Sequence, residues 1–458
     1  MFRIKNKLLV PIFLTVAVDV LGYTIVLPLL PFYAEKYGAP PTVVGLLVTI
    51  YAASQFLSSP LLGRLSDRWG RKPLLLVSQT GTLIGFVVLA RADALWLIFL
   101  SRLIDGLTAG NLSLAQAYIS DVTEPKDRTK AFGIIGIAFG MGFLVGPGIT
   151  AYLSQFGYQY PVWVAAALSA TSILTTYLFV PGSLPPVHVP SVPRNVPRNA
   201  TSSTSVPTAA TSVPGGRTVG ARLKLINLGA FRRYFSDREI AGSLLEYFLF
   251  AISFSLYVSG FALFAERRYF NHGHPFGVKE VGYIFAYSGV IGVIVQGLLL
   301  GRLVSRFGEA RLSLFAFGFA SVGYAVQALT NSVPAVILAN TIYSLGNVVL
   351  RPALTSQISQ KAPHGEQGAV LGVTQSLNSL AQVLAPILSG VLIQMGWLTH
   401  WSLLASVMTL LGLTLVRRNC RHSKPPFISN DSSPPFDDVG TSRPAISVSV
   451  GDRHRELQ

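Results

Sequence analysis

The chain has 458 residues, of which half are hydrophobic and only 12% are charged, and its mean hydropathy is +0.50. About a quarter of the residues of a soluble globular domain are charged, so this composition excludes an ordinary soluble protein and indicates a membrane protein. The net charge of +16 does not indicate a nucleic-acid-binding face, because the cations lie in short connections and tails. The single cysteine, Cys420, excludes an intramolecular disulfide bond.

The first residues, MFRIKNKLLVPIFL, have the basic head and apolar body of a secretion signal. No small-residue cleavage site follows, and Asp19 interrupts the apolar run, so we interpret them as the start of an uncleaved first span. Apolar stretches of about 20 residues cross a bilayer as helices. The sequence predicts twelve such spans, over residues 8–30, 43–62, 74–90, 94–120, 131–155, 161–180, 240–265, 281–300, 312–329, 334–359, 368–394 and 397–416.

Two segments lack the apolar content of a packed domain. Residues 182–239 are rich in Pro, Ser, Thr, Val and Arg and predict a flexible cytosolic linker with a surface helix near residues 223–235. Residues 418–458 predict a disordered cytosolic tail. The predicted domains are therefore an N-terminal six-helix bundle, residues 1–181, and a C-terminal six-helix bundle, residues 240–417.

Two internal repeats relate these halves. The motif GRLSDRWGRK, residues 63–72, recurs 238 residues later as GRLVSRFGEA, residues 301–310, and residues 127–147 align with residues 366–386. We expect residues 63–72 to form a tight loop, in which glycines permit a sharp turn and a carboxylate among arginines can lock a domain seam. The candidate gating residues of this motif are Gly63, Asp67, Arg68, Gly70, Arg71 and Lys72.

Cations in the short loops predict the orientation, because they accumulate on the cytosolic side of a membrane. The loops on the side of both termini contain more of them than the loops on the other side. We therefore expect both termini and the linker to be cytosolic, and we expect the chain to lie in the plasma membrane.

Ionisable side chains inside spans are functional candidates, because lipid disfavours them. The candidates for proton coupling are Asp19 in the first span, Arg102 and Asp105 in the fourth, and Glu246 in the seventh. At about 1.5 Å per residue, Asp19 and Asp105 both fall near the membrane midplane and could face one cavity. Arg102 and Asp105 share a helix face. A nearby guanidinium favours an ionised carboxylate and burial opposes it, so such a site can load and release a proton.

Simpler explanations stay open for each charge. Asp19, Arg102 and Asp105 could only neutralise one another and fix helix packing. Glu246 could sit at the level of the lipid headgroups, and Arg351, near the cytosolic end of the tenth span, could extend its side chain to the interface.

Aromatic and uncharged polar side chains in the spans could line a solute cavity or brace neighbouring helices. Together with Arg351, the cavity candidates are Tyr23, Asn111, Gln116, Tyr118, Tyr247, Tyr257, Asn347, Gln375 and Asn378. The fifth span contains GFLVGPGI, in which small residues and a proline permit a kink and close helix packing. Its gating candidates are Gly142, Gly146, Pro147 and Gly148, with plain helix packing as the alternative.

Together these motifs resemble the major facilitator superfamily, specifically its twelve-helix drug/proton antiporters of the tetracycline-resistance type. The resemblance rests on AVDVLGYTIVLPLLP (residues 17–31), on residues 63–72, on SRLIDGLTAGN (residues 101–111) and on residues 142–148. It implies an all-α membrane protein with the major facilitator fold, in which 12 transmembrane helices form two pseudo-symmetric six-helix bundles. These bundles would rock about a central cavity lined by the first, fourth, seventh and tenth spans.

The resemblance also implies roles for single residues. Asp19 and Arg102 would take part in proton coupling, and Asp67 with Arg71 would stabilise the outward-facing state by bridging the halves. The ninth span has no acidic residue, unlike that of tetracycline exporters, so tetracycline is not the expected substrate. The proton site would then involve Asp105 or Glu246.

The sequence thus predicts a proton-coupled exporter of a small amphipathic compound, such as a drug or secondary metabolite. Protonation of Asp19 or Asp105 would weaken solute binding and permit reorientation. We expect no enzyme activity, cofactor or metal, because the sequence contains no ATP-binding loop, nucleophile–base pair or metal-ligand cluster. The expected partners are a small-molecule substrate, protons and the lipid bilayer, with no nucleic acid, and the expected state is a monomer.

Two other classes remain as alternatives. A nutrient facilitator or symporter for a sugar-like solute is disfavoured by the Gly–Pro motif of the fifth span. A receptor or scaffold that transports nothing would have no use for the buried carboxylates.

Overall fold

The computed structural model describes residues 2–122, 128–180, 234–362 and 367–422, and these residues are almost entirely helical. The N-terminal half consists of α1 (Phe2–Glu35), α2 (Pro41–Trp69), α3 (Arg71–Ala90), α4 (Leu95–Thr108), α5 (Asn111–Val122), α6 (Arg128–Leu153) and α7 (Gln159–Phe179). The C-terminal half begins with α8 (Arg238–Arg268), the short strands β1 (Phe270–Asn271) and β2 (His274–Pro275), and α9 (Val278–Ile294). It continues through a π-helical segment (Val295–Leu299), α10 (Leu300–Phe307), α11 (Glu309–Leu329), α12 (Val333–Lys361), α13 (Gln367–Gln394) and α14 (Leu398–His422).

Eleven helical stretches of the described residues are long and apolar enough to cross a membrane. A shorter apolar helix, Ala138–Leu153, lies where the sequence predicts the fifth span. The predicted all-α membrane fold is therefore confirmed, with a span count close to twelve. The predicted linker and tail fall almost wholly outside the described residues. α8 begins two residues before the predicted seventh span, where the side chain of Asp237 accepts hydrogen bonds from the amides of Glu239 and Ile240.

The predicted tight loop at residues 63–72 is wrong in its extent. α2 continues as a helix through Trp69, the chain reverses at Gly70 with a φ of 93°, and α3 begins at the next residue. The second copy of the motif has the same shape, with Gly308 at a φ of 73°. Only glycine adopts this backbone conformation without strain, so the repeat keeps a glycine at each turn and places the motif's cations on helix ends.

The predicted fourth span is not one continuous helix. It is interrupted between Thr108, which ends α4, and Asn111, which begins α5. The hydroxyl of Ser78 on α3 donates to the carbonyl of Thr108 and accepts from the amide of Gly110 at 3.1 Å. Backbone groups inside a membrane need such partners, so Ser78 compensates for the interrupted helical hydrogen bonds.

The helices form two bundles, α1–α7 and α8–α14. Within the first, α1 packs on α6 and α7, and α3 packs on α4 and α7; within the second, α12 packs on α11 and α13 on α8. The main contacts between the bundles join α2 to α13 and α6 to α9. We call the end of the helices nearest Gly70 the proximal end and the end nearest Gly38 the distal end. Both lie between membrane helices, so the proximal and distal ends are opposite faces of the molecule.

Candidate functional site

The first contact between the bundles lies in the distal halves of α2 and α13. The amide of Thr42 donates to the side-chain oxygen of Gln394 at 3.2 Å. Gly45 lies directly on the backbone of Pro386, where a Cβ atom would collide with the carbonyl oxygen. Glycine permits this close approach of two backbones, so the two helices touch without a side chain between them.

The second contact has the same construction in the distal halves of α6 and α9. A Cβ atom on Gly282 would lie 2.8 Å from the carbonyl oxygen of Pro147. A Cβ atom on Gly289 would lie 2.6 Å from the carbonyl oxygen of Phe143 and 2.6 Å from the Cα atom of Leu144. Pro147 of the predicted gating motif therefore lies in the seam between the bundles.

An ion pair joins the bundles at the distal end. Arg267, at the end of α8, contacts the carboxylate of Glu35, at the end of α1, at 2.5 Å. The same guanidinium contacts the neighbouring Glu266 at 2.9 Å. Sequence reasoning misses this pair, because charged residues at the ends of spans are common and carry no signal of a partner.

The proximal end is open, in contrast to the distal end. Cβ atoms on Gly63 of α2 and Gly372 of α13 would meet nothing within 4 Å, although the distal glycines of the same two helices are in contact. Gly301, which begins the second copy of the loop motif, is equally free, and Trp69 at the end of α2 is 67% exposed. Among the described residues, the two bundles therefore approach closely in their distal halves and lack such contacts at the proximal end, toward which the space between them opens.

A buried ion pair lies in the N-terminal bundle beside this space. Nη1 of Arg102 contacts Oδ2 of Asp105 at 3.2 Å, and the two side chains are only 5% and 8% exposed. Gly85 on α3 lets the helices approach at this level, since a Cβ atom there would lie 3.0 Å from the Cβ atom of Asp105. The structure thus joins the two residues that the sequence places on one helix face.

Asp19 lies next to this pair but outside it. Its two carboxylate oxygens are enclosed and have no hydrogen-bond partner among the described residues. The charge of Asp105 repels a negative charge on Asp19, whereas the nearby side chain of Asn111 favours it. An ionised group enclosed without partners is far more costly than a neutral one, so Asp19 is the carboxylate of this cluster best suited to hold a proton.

Two tyrosine rings lie beside the buried charges, and one of them is partly exposed. Tyr23 and Tyr51 stack with ring centroids 6.1 Å apart, and Arg102 lies over the ring of Tyr51 at 6.0 Å. Tyr23 is 36% exposed. Arg351 on α12 of the other bundle is exposed, lies over the ring of Phe254 at 5.6 Å, and acts electrostatically on the phenol of Tyr23.

The C-terminal bundle contains an uncharged counterpart of the ionic cluster. The 238-residue offset between the loop motifs places Tyr257, Asn340 and Tyr343 at the positions of Asp19, Arg102 and Asp105. These counterparts also meet in the structure. The hydroxyl of Tyr257 donates to the side-chain oxygen of Asn340 at 3.2 Å, and the rings of Tyr257 and Tyr343 lie 4.3 Å apart. The three positions are neighbours in both bundles, but among them only the N-terminal bundle has carboxylates and a guanidinium.

Glu246, the fourth candidate for proton coupling, lies elsewhere. It is 2% exposed on α8, and its Oε1 atom accepts a hydrogen bond of 2.6 Å from the side chain of Asn419 on α14. The ammonium group of Lys361 attracts the carboxylate of Glu246 and donates a hydrogen bond of 2.8 Å to the hydroxyl of Ser243. The structure therefore groups Glu246 with the proximal ends of α12 and α14 and does not bring it to Asp19.

We expect Asn419→Ala to destabilise the protein more than it impairs transport. The change removes the hydrogen bond to the buried Glu246 carboxylate, and an unsatisfied buried polar group costs about 1–3 kcal/mol. A lower melting temperature in detergent with little change in transport rate is the expected result. A large loss of transport at unchanged melting temperature would instead connect Glu246 with the transport cycle.

The remaining cavity candidates occupy two kinds of position. Six are buried inside the bundles: Asn111, Tyr118, Tyr247, Tyr257, Asn347 and Asn378. Asn347, for example, donates to the hydroxyl of Tyr324 at 2.8 Å, within the C-terminal bundle. The exposed candidates besides Tyr23 and Arg351 are Gln116 and Gln375. The sequence alone does not predict which of these polar residues are buried and which are exposed.

The gating candidates of the loop motif interact locally. Asp67 contacts Arg71 at 2.6 Å, Arg71 donates to Ser66, and Lys72 donates to the carbonyl of Tyr177 at 2.8 Å. Arg68 is exposed. Among the described residues, these contacts of Asp67 and Arg71 lie within the N-terminal bundle.

The gating candidates of the fifth span lie on α6 against α1. Gly142 lies on Val20, Gly146 lies on Thr24, and the hydroxyl of Thr24 donates to the carbonyl of Gly142 at 2.8 Å. Gly148 approaches α9, where a Cβ atom would lie 3.9 Å from Ala286. α6 therefore contacts the helix of Asp19 on one face and the partner bundle on another.

Comparison with known proteins yields consistent matches. The family model described as Major Facilitator Superfamily matches residues 12–386. The tetracycline resistance protein, class H, of Pasteurella multocida is 25% identical over 386 residues, covering 84% of this chain and 88% of the relative. Multidrug resistance protein 2 of Bacillus subtilis is 26% identical, covering 86% and 91%. The crystal structure of the human organic anion transporter MFSD10 matches with a TM-score of 0.65 and 23% identity, covering 90% and 99%.

Proposed function

The chain belongs to the Major Facilitator Superfamily, and we propose that it exports a small amphipathic organic molecule in exchange for protons. It is a multi-pass membrane transporter, as its family and the eleven described stretches long and apolar enough to cross a membrane indicate. Relatives named for tetracycline and multidrug resistance support export as the direction. The observation that carries the proton coupling is Asp19, a carboxylate enclosed without a hydrogen-bond partner beside the space between the bundles.

In the proposed orientation the proximal end faces the cytosol, where the loop cations accumulate. The chain would act as a monomer in the plasma membrane. The structure is then the state that receives solute from the cytosol, with Tyr23 and Arg351 facing the open space. Opening of the distal seam and closure of the proximal end would present the same site to the other side, as a shift between two packings of the bundles.

Asp19 would couple protons to this shift. Bound solute and a proton would compete for the site. Protonation of Asp19 removes a negative charge near Asp105 and Tyr51, and this change in charge would weaken the binding of the solute. The C-terminal bundle has no titratable carboxylate at the equivalent position, since Tyr257 stands there. The N-terminal bundle would therefore carry the proton and the C-terminal bundle would move against it.

Asp67 gives a separate test of the rocking movement. Asp67→Asn removes an exposed ion pair that is worth at most about 1 kcal/mol to stability, so the melting temperature should change little. If Asp67 crosses to the other bundle when the proximal end closes, the variant should transport several-fold more slowly. Transport at the wild-type rate would show that the Asp67–Arg71 pair has only a local role.

The proposed function is tested by solute flux in proteoliposomes with an imposed pH gradient. Substrates are first chosen by comparing growth inhibition of a pump-deficient host with and without the chain. We expect an inside-acid gradient to drive uptake of the solute into vesicles by the molecules whose proximal end faces outward. A protonophore that collapses the gradient should abolish this accumulation. Accumulation that is independent of the gradient would contradict proton exchange and favour a facilitator.

A further inference from the structure

We propose that the solute is an aromatic zwitterion whose anionic group, a carboxylate or sulfonate, binds Arg351. This inference rests on the proposed exchange of solute for protons and adds the chemical class of the solute. It starts from the distribution of charge around the space between the bundles.

Arg351 is an exposed charge beside this space. It lies ten residues before Lys361, the last residue of α12, which is about 15 Å along the helix axis. This depth places it inside a helix of 29 residues, in its proximal half. Among the described residues it has no carboxylate partner, and its one aromatic contact is with Phe254. An accessible guanidinium without a counter-ion, at this depth, is a strong binding group for a planar anion.

The other buried charges do not neutralise Arg351. Arg102 and Asp105 neutralise each other at 3.2 Å, and Glu246 is bound to Asn419 in another part of the C-terminal bundle. Of the four buried charged candidates, Asp19 remains; it belongs to the opposite bundle, and its enclosed carboxylate lies near Tyr51. The space therefore has a positive group on α12 and a carboxylate that can gain or lose a proton in the facing bundle.

Aromatic rings lie near each of these two groups. Tyr23 and Tyr51 form a stacked pair on one side, and Phe254 lies beside Arg351 on the other. A flat aromatic body can pack against these rings while its anionic group reaches Arg351. Because Tyr23 and Arg351 belong to different bundles, such a solute would contact both moving parts at once.

The sign of the coupling requires a second charge on the solute. A purely anionic solute is repelled by ionised Asp19, so it would bind more tightly when Asp19 is protonated and would travel with the proton. A cationic group near Asp19 has the opposite effect, because the proton removes the charge that attracts it. Exchange for protons therefore calls for a solute with both groups.

A matched set of three fluorescent probes tests the inference. The first is a quinolone carboxylic acid with a piperazine amine, which is a zwitterion; its ethyl ester is a cation, and its N-acetyl derivative is an anion. Equilibrium binding to the purified full chain in phosphatidylcholine nanodiscs is measured for the wild type, Arg351→Gln and Arg351→Lys. We expect Arg351→Gln to weaken binding of the zwitterion and the anion by at least tenfold and to leave the ester unchanged. Arg351→Lys should restore part of the loss.

Each other outcome overturns the inference. Equal weakening of all three probes would mean that Arg351 only maintains the shape of the space, and a melting temperature measured in the same discs would show any general damage. No weakening would mean that Arg351 does not contact the solute. If a second set of discs that contains phosphatidylglycerol binds the zwitterion more weakly, and Arg351→Gln abolishes this difference, the anionic partner is a lipid phosphate. Failure here leaves gradient-driven flux intact, so it is distinguishable from failure of the proposed function.

Discussion

Asp19→Asn is expected to lower pH-gradient-driven transport by about 100-fold or more, the scale of losing a positioned proton-transfer group. Asparagine keeps the size of the side chain but cannot take up a proton at any pH of the cycle. The enclosed position without a hydrogen-bond partner should accept the neutral amide without loss of folding. Initial rates in proteoliposomes, with and without an imposed gradient, measure the effect.

Glu246→Gln is the matched control for this experiment. Both residues are enclosed carboxylates within membrane helices, but Glu246 is bound to Asn419 and lies away from Asp19. The control should keep most of the gradient-driven flux. Equal losses in the two variants would mean that any buried carboxylate is needed for folding, and full activity of Asp19→Asn would remove Asp19 from the coupling mechanism.

The sequence predicts the architecture well, because the features that determine it are local. Span length, loop charge and a 238-residue repeat are all visible in the chain, and each follows from the cost of exposing polar groups to lipid. The same reasoning places Arg102 and Asp105 on one helix face, and the structure pairs them. It also gives Asp19 the same depth as Asp105, and the structure makes them neighbours.

Features that depend on packing between distant segments are not predictable in this way. The helix break after Thr108 is stabilised by the hydroxyl of Ser78 from another helix. The apolar sequence of the fourth span contains no signal that predicts this break. Glu246 and Asn419 are 173 residues apart, so their hydrogen bond has no local signal. From the sequence, Arg351 can be interpreted as a side chain that extends to the membrane interface. Its contact with Phe254 and its electrostatic interaction with Tyr23 instead place it beside the space between the bundles.

The cluster of Tyr257, Asn340 and Tyr343 is predictable from the sequence. The same offset that relates the loop motifs aligns Asp19 with Tyr257 and Asp105 with Tyr343. Applying the repeat residue by residue predicts that the second half keeps the contact and loses the charge. A repeat therefore carries information about function as well as about fold, because a change at equivalent positions marks where the two halves have diverged.

Gly289→Ala is expected to prevent closure of the distal seam and thereby to slow transport by roughly 5- to 150-fold, the effect of a seam collision of about 1–3 kcal/mol. The added methyl group would lie 2.6 Å from the backbone of Phe143 and Leu144, which cannot move aside as a flexible side chain could. Alanine is intrinsically better than glycine in a helix by about 1 kcal/mol. Any loss of function therefore comes from the collision and not from a weaker helix.

Gly292→Ala on the same helix is the matched control, because its methyl group would meet only a side-chain carbon of Val348 at 3.7 Å, an ordinary contact. The state of the seam is measured by labelling Thr42→Cys with a membrane-impermeant maleimide in a Cys420→Ser background, which removes the chain's single cysteine. Labelling should increase in Gly289→Ala and stay at the wild-type level in Gly292→Ala. Equal labelling and equal transport in both variants would mean that the bundles do not need this contact, and the closed distal seam would lose its place in the transport cycle.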